Sequence, residues 1–200
     1  MDVEKLAESL DFHQTDNIRT AVDETLVLLV DAQGRLMPAI ENAATVSAAL
    51  DRLLRCAEMF GVPVRATEHC AEAIGPTISP LAERLGPHRL IAKRHFDAMA
   101  EEDVRATIAE IGCPIVAIAG VEAHVCVALT ALGLREAGYR VRVVEDACGS
   151  RRAIDREAGL ARLRAAGCVP VTVEALIFEW CGSADHPAFK SALSLVKEVD

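Results

Sequence analysis

The stretch Pro114-Ile-Val-Ala-Ile-Ala-Gly120 opens the part of the chain that decides the fold. This apolar run is short and rich in Ile and Val, which predicts a strand buried on both faces. A helix is predicted to follow from Val125 to Ala137 and to end at Gly138, and another strand over 139–146. Strand, tight loop, helix and strand make a βαβ unit, so the sequence predicts a parallel sheet.

Cys126 falls in the first turn of this helix, beyond the carboxyl end of the strand. Open α/β sheets bind their ligands at that edge. Free N–H groups and the positive end of the helix dipole favour a thiolate there. A single cysteine is nevertheless more often a small buried residue than a nucleophile, so the pattern alone leaves both roles open.

The rest of the chain continues the alternation of strands and helices. Strands are predicted over 25–31, 62–67, 89–93 and 169–173, helices over 43–60, 79–85, 98–111 and 151–166, and a helical tail over 175–180 and 187–199. Residues 1–22 are predicted to form an N-terminal arm or a short helix, and residues 23–200 one domain that includes the tail. The pattern predicts an α/β fold, a single-domain Rossmann-like three-layer sandwich around a mainly parallel six-stranded sheet.

Composition narrows the class of partner. Hydrophobic residues make up 52% of the chain and aromatic residues only 4%, so the core must be aliphatic. The net charge of -9 argues against nucleic acid or an anionic membrane as partner, and is otherwise typical of a soluble surface. The chain has no membrane-length apolar run or signal-peptide pattern, and its seven cysteines form no C-x-x-C pair. These features predict a cytoplasmic protein with free thiols.

Three chemically distinct residues come at or just beyond the ends of apolar strands: Asp31, Lys93 and Cys126. Parallel strands end at one edge of a sheet, so these residues can converge in a single crevice. A carboxylate can take the thiol proton, an ammonium group can favour the thiolate, and the thiolate can act as nucleophile. Each also has an ordinary alternative, because Asp31 can cap a turn and Lys93 can be a solvated surface charge.

A resemblance favours the chemical interpretation. The chain resembles the isochorismatase-like cysteine hydrolases over residues 24–182, and within them the isochorismatase domain-containing and YcaC-like branch. The segments that carry the resemblance are Thr25–Gln33, Ile91–Phe96, Gly120–Cys126 and Gly138–Arg151. It implies the isochorismatase-like hydrolase fold and a hydrolase acting on non-peptide C–N bonds.

The resemblance also implies a role for each residue of the site. Asp31, Lys93 and Cys126 take the positions of a catalytic triad, with Cys126 as nucleophile, Asp31 as general acid and base, and Lys93 as electrostatic support. A cis peptide is expected between Val121 and Glu122. The N–H groups of Glu122 and Cys126 then form an oxyanion hole, and an amide-like substrate is cleaved through a thioester.

Four further residues are candidates for the substrate pocket: Gln33, His69, Phe96 and His124. His69 and His124 can equally be loop or surface residues, and Phe96 can belong to the core. Metal-binding relatives carry an Asp-x-His motif where this chain reads Thr67-Glu-His69 with no second histidine nearby, so no metal and no cofactor are expected.

A homo-oligomer, a dimer or larger, is expected from the resemblance and from the aliphatic composition. The alternative function is a binding or assembly module on the same fold, or a redox sensor that uses the thiol. A dinucleotide-binding enzyme is disfavoured because no glycine-rich turn follows the first strand.

Overall fold

The structure is a computed structural model that describes residues 19–198. Residues 1–18, most of the arm predicted over 1–22, lie outside it, and a 3-10 helix over Val22–Glu24 leads into the first strand. Six strands form one sheet in the order β3-β2-β1-β4-β5-β6, and every neighbouring pair is parallel. The strands are β1 Thr25–Val30, β2 Val64–His69, β3 Leu90–Lys93, β4 Ile115–Val121, β5 Arg140–Gly149 and β6 Val169–Val171.

Helices cover both faces of the sheet, which confirms the α/β three-layer fold. The α-helices are α1 Ala43–Phe60, α2 Ala71–Ile74, α3 Ser79–Leu85, α4 Glu102–Ile111, α5 Ala128–Glu136, α6 Ala153–Ala165, α7 Val173–Cys181 and α8 Phe189–Lys197. One apolar core joins the sheet to α1, α3, α7 and α8. A second core joins the opposite face to α4, α5 and α6. None of the helices within residues 19–198 has the length and apolarity needed to span a bilayer.

Helix α1 follows its sequence pattern residue for residue. Its apolar stripe, including Val46, Leu50 and Leu53, is buried in the first core. Gly61 ends the helix with φ of 72°, and its N–H donates to carbonyl groups of the last turn. The bounds predicted for this helix, and those predicted for α3, are confirmed.

Several predicted bounds are wrong for identifiable local reasons. The helix predicted over 98–111 breaks at Glu101, because Asp97 caps a separate 3-10 turn over Ala98–Ala100 by accepting from the Met99 N–H. The strand predicted over 139–146 runs on to Gly149, pairing with the end of β4 after a register shift. The helix predicted from residue 125 is instead a π-helical turn over Ala123–Val127 that precedes α5.

The middle of the sheet is unusually close-packed. Val30 of β1 lies beside Gly120 of β4 in the ladder, and Gly120 has φ of 128°. A Cβ atom at this position would lie 2.1 Å from the carbonyl oxygen of Val30. Only glycine therefore lets β4 lie so close to β1 while the chain turns away above it.

Candidate active site

Asp31 lies directly beyond β1, where its side chain is completely buried. Its backbone has φ of 52°, and its N–H donates to the carbonyl of Thr67 at 3.2 Å. The carboxylate is held at both oxygens. Oδ1 accepts from the Thr67 hydroxyl at 2.8 Å, and Oδ2 lies 2.7 Å from Nζ of Lys93. This buried ion pair joins the ends of β1 and β3.

Lys93 ends β3 with its side chain fully buried. Its Nζ also donates to the carbonyl of His95 at 3.1 Å. The charges of Asp31 and Lys93 both act on the Cys126 thiol. The structure thus brings the three predicted residues together at the carboxyl ends of β1, β3 and β4.

Cys126 belongs to the π-helical turn and is only 7% exposed. Burial, and secondarily the charge of Asp31, raise the pKa of this thiol to about 12, although Lys93 opposes the shift. The expectation that this position favours a thiolate is therefore wrong for the protein at rest. Desolvation of the buried sulfur outweighs the help that the lysine gives.

The link between β4 and this turn has a cis peptide bond between Val121 and Glu122. The carbonyl oxygen of Glu122 accepts from the N–H groups of Val125 and Val127, both at 3.1 Å, which fixes the turn. The Glu122 carboxylate is bound by the guanidinium of Arg151. Both residues predicted to form the oxyanion hole thus belong to one hydrogen-bonded segment.

The side chain of Gln33, a candidate for the substrate pocket, is held by hydrogen bonds within the protein. Its side chain is fully buried, and its amide nitrogen donates to the carbonyls of His69 at 3.1 Å and Gly75 at 2.6 Å. Its amide oxygen accepts from the His69 N–H at 2.8 Å. Because both amide hydrogens and the oxygen are engaged, Gln33 ties the loops after β1 and β2 together.

His69 and Phe96 form an aromatic pair beside the triad. Their ring centroids are 5.2 Å apart, and Phe96 is 54% exposed. Burial, together with the charge of Lys93, lowers the pKa of His69, which favours its neutral form. The alternative that Phe96 belongs to the core is wrong, because its side chain is exposed to solvent.

His124 points toward a different group of residues. Its Nδ1 lies 3.0 Å from the Ser150 hydroxyl and its Nε2 lies 3.8 Å from the Glu122 carboxylate. Together with Arg151, Arg152 and Asp155, it lines a cavity of about 410 Å³ beside the start of α6. His124 therefore stays a candidate pocket residue, on the side of the π-helical turn that faces Ser150 and Glu122.

Sequence reasoning missed residues that hold the site in place. Thr67 hydrogen-bonds to Asp31, and the next residue, Glu68, accepts from the N–H and hydroxyl of Thr77 at 2.7 and 2.8 Å. Glu101 accepts from the N–H groups of Arg94 and His95, which fixes the loop after β3. A usable signal was present at Thr67 alone, a polar residue at the end of a strand adjacent to β1.

The sequence predicts no metal site at Thr67–His69, the end of β2. Within residues 19–198, no group of three or more His, Cys, Asp or Glu side chains is arranged to hold a metal ion. Thr67 lies where metal-binding relatives carry the aspartate. Its hydroxyl donates a hydrogen bond to Asp31 instead.

Comparison with known proteins identifies the family. Residues 25–175 match the Isochorismatase domain. The chain belongs to the isochorismatase family. Among curated members, it is 36% identical over 182 residues to isochorismatase domain-containing protein 2 of Bos taurus, which covers 90% of this chain and 86% of the relative. The protein of the same name from Danio rerio is 34% identical and covers 89% of each chain.

Solved structures of the family agree in architecture. The YcaC protein of Escherichia coli, an octameric hydrolase of unknown specificity, has a TM-score of 0.85 at 26% identity, with 91% of both chains covered. The MAR1 ribonuclease of Caenorhabditis elegans has a TM-score of 0.84 at 29% identity, covering 91% of this chain and 95% of that one. YcaC of Pseudomonas aeruginosa, with covalent acrylamide, has a TM-score of 0.83 at 27% identity and covers 88% and 91%. The resemblance stated from the sequence, and the fold it implied, are confirmed.

Proposed function

We propose that this member of the isochorismatase family is a cysteine hydrolase that cleaves the C–N bond of a small amide-like substrate. The observation that carries the proposal is the buried Asp31–Lys93 ion pair, whose charges act on the buried Cys126 thiol at the ligand-binding edge of a parallel sheet. A buried carboxylate, ammonium group and thiol in mutual contact match the needs of nucleophilic catalysis. Family membership supports a hydrolase, and the triad supports its mechanism.

Acylation follows from the arrangement of the three residues. Asp31 takes the thiol proton of Cys126 as the sulfur attacks the carbonyl carbon of the substrate. The N–H groups of Glu122 and Cys126 receive the developing oxyanion, and Lys93 balances the charge that moves between carboxylate and sulfur. Protonated Asp31 then gives its proton to the leaving nitrogen, the C–N bond breaks, and a thioester remains on Cys126.

Deacylation reverses these roles. Asp31, again ionised, takes a proton from water while the water oxygen attacks the thioester carbonyl. The C–S bond breaks, the carboxylic acid leaves, and the proton on Asp31 returns to the sulfur. The net reaction consumes one water and releases an acid and ammonia or an amine.

The mouth of the site bears on the substrate. His69 and Phe96 offer aromatic surface beside the triad, and the lowered pKa of His69 keeps its ring uncharged near neutral pH. A small neutral amide fits these surroundings better than a charged substrate. The P. aeruginosa relative with covalent acrylamide gives a suitable first probe, because acrylamide is a small amide that also reacts with thiols.

The test combines turnover with trapping of the intermediate. We expect wild-type protein to release ammonia from at least one of acetamide, benzamide and methylurea or their simple derivatives, and Cys126→Ala to lose at least about a thousandfold in rate. Mass spectrometry of rapidly quenched samples should show an acyl group on Cys126. Cys168→Ala, which removes another buried thiol, is the matched control and should retain activity. Equal turnover by Cys126→Ala and wild type would rule out the mechanism.

The alternative function, a binding module or redox sensor, makes a different prediction. Cys126 would then oxidise reversibly with peroxide, and no acyl group would form on it with any amide. Amide turnover together with an acyl group on Cys126 would exclude this alternative. The ribonuclease activity named for the C. elegans relative is not carried over, since a net charge of -9 opposes binding of a polyanion.

We also propose that the protein works as a homo-oligomer with a cytoplasmic location and a small-molecule substrate. The octameric E. coli relative supports assembly of this fold into homo-oligomers. Sedimentation velocity gives the number of copies for this chain.

A further inference from the structure

Thr67 makes two hydrogen bonds with Asp31, one through its side chain and one through its backbone. The residue is only 1% exposed, and its hydroxyl donates to Oδ1 of Asp31 at 2.8 Å within the protein interior. Its carbonyl also accepts from the Asp31 N–H at 3.2 Å. Backbone and side chain of one residue thus hold both ends of the candidate general base.

We infer that Thr67 is a positioning residue that sets the direction and the proton affinity of Asp31, an inference that rests on the proposed function. The hydroxyl occupies Oδ1, which leaves Oδ2, the oxygen 2.7 Å from Lys93, for the thiol proton. A hydrogen bond donated to a buried carboxylate also stabilises its charged form. Removing the Thr67 hydroxyl should therefore make the Asp31 carboxylate easier to protonate.

The hydroxyl is not needed to hold its strand. Strand β2 is fixed by parallel ladders to β1 and β3 on both sides. The two residues that follow have their own ties, from Glu68 to Thr77 and from His69 to Gln33. Because these contacts are independent of the Thr67 hydroxyl, its main consequence falls on the carboxylate of Asp31.

The effect is measurable without a known substrate. We would follow the alkylation of Cys126 by iodoacetamide from pH 3.5 to pH 9, with mass mapping of all seven cysteines. In wild-type protein the acid limb of the rate reports ionisation of Asp31, since the carboxylate must be free to take the thiol proton. Thr67→Val keeps the shape of the side chain and removes the hydroxyl, so we expect the acid limb to move to higher pH by about one unit.

Thr67→Ser is the matched control, because it keeps the hydroxyl and should return the acid limb to its wild-type position. Thr67→Ala gives the same test with a smaller side chain if the valine variant is poorly folded, as judged by circular dichroism. An acid limb at the wild-type pH in a folded Thr67→Val or Thr67→Ala variant would overturn the inference.

The variant Asp31→Asn distinguishes failure of the role inferred for Thr67 from failure of the proposed hydrolase mechanism. If Asp31→Asn loses the acid limb and Thr67→Val shifts it, the results support both the role of Asp31 as general base and the role of Thr67. Loss of the limb in Asp31→Asn without a shift in Thr67→Val removes only the role of Thr67. An unchanged limb in Asp31→Asn would show that the carboxylate does not activate the thiol, and the inference would fall with the proposed mechanism.

Discussion

At the scale of single residues, the buried pair of Asp31 and Lys93 governs the state of Cys126. Burial raises the pKa of this thiol far above neutral pH, so the thiol is protonated in the resting protein. A preformed thiolate therefore contributes little, and proton transfer to Asp31 during attack becomes the route to reaction. Lys93 matters because it lowers the cost of the charge that sulfur acquires.

Replacing Lys93 by Met should affect reactivity and stability together. The change leaves a buried carboxylate without its cation, so we expect the free energy of unfolding to fall by about 3–5 kcal/mol. Alkylation of Cys126 at pH 8 should slow at least tenfold, because the group that favours the thiolate is gone. Urea titration and mass-mapped labelling measure the two effects.

The double variant Asp31→Asn/Lys93→Met completes this comparison. Removing both charges leaves no unpaired buried ion, so the pair should recover part of the stability that Lys93→Met loses. Lys190→Met, on the exposed face of α8, is the surface control. If Lys93→Met unfolds at the same urea concentration as that control, the ion pair has no energetic role.

Some properties of the site residues could be predicted from the sequence, and others could not. Asp31, Lys93 and Cys126 could be proposed to meet because strand ends of a parallel sheet share an edge. The role of Gln33 could not be predicted, since its three partners are carbonyl and N–H groups brought close by two loops. The pKa of Cys126 was misjudged because burial depth is a property of packing, which local sequence does not contain.

Among the secondary-structure elements, the close contact between β1 and β4 limits which residue can occupy position 120. Gly120→Ala places a methyl group 2.1 Å from the Val30 carbonyl, so the strands must separate. We expect a loss of more than about 3 kcal/mol in the free energy of unfolding, or failure to fold. Urea titration with circular dichroism measures it.

Gly138→Ala provides the control for this substitution. Gly138 also has a positive φ, of 90°, but a Cβ atom there meets nothing within 4 Å. Its replacement should cost only the backbone penalty, about 1 kcal/mol. Similar losses for the two variants would show that the close approach of β1 and β4 is not tight.

Elements with a strong periodic pattern were predictable, and those shaped by tertiary contact were not. Helix α1 has an apolar stripe and a glycine stop, and both bounds follow from them. The π-helical turn at Ala123–Val127 has no such pattern, because α6 packs against it through Gly159, where a Cβ atom would lie 2.7 Å from the Cα of His124. The shape of that turn comes from its neighbour.

At the scale of the whole molecule, buried thiols make stability depend on alkaline pH. Burial raises the pKa of Cys126 and Cys148 from 9.0 to about 12, and raises that of Cys56 further. Between pH 9 and 12 the unfolded chain releases thiol protons that the folded chain keeps. The free energy of unfolding is therefore highest below pH 9 and falls above it, by about 1.4 kcal/mol per pH unit for each thiol.

Cys148→Ala tests this dependence at one site. Its stability difference from wild type at pH 8 gives the packing cost of the change. Between pH 9 and pH 10 that difference should shrink by about 1 kcal/mol, because the variant lacks one of the ionising thiols. Urea titrations at pH 8, 9 and 10 suffice, and parallel curves for the two proteins would contradict the argument.

The strand order has a consequence for synthesis. Strand β1, whose six residues Thr25–Val30 are all buried, has β2 on one side and β4 on the other. At ordinary ribosomal speed, β4 emerges on the order of ten seconds after β1. Until then a nascent chain can cover only one edge of β1, and the other is an apolar template for pairing with a second nascent chain. Newly made chains therefore pass through an aggregation-prone interval, which a chaperone bound near Thr25–Val30 would shield.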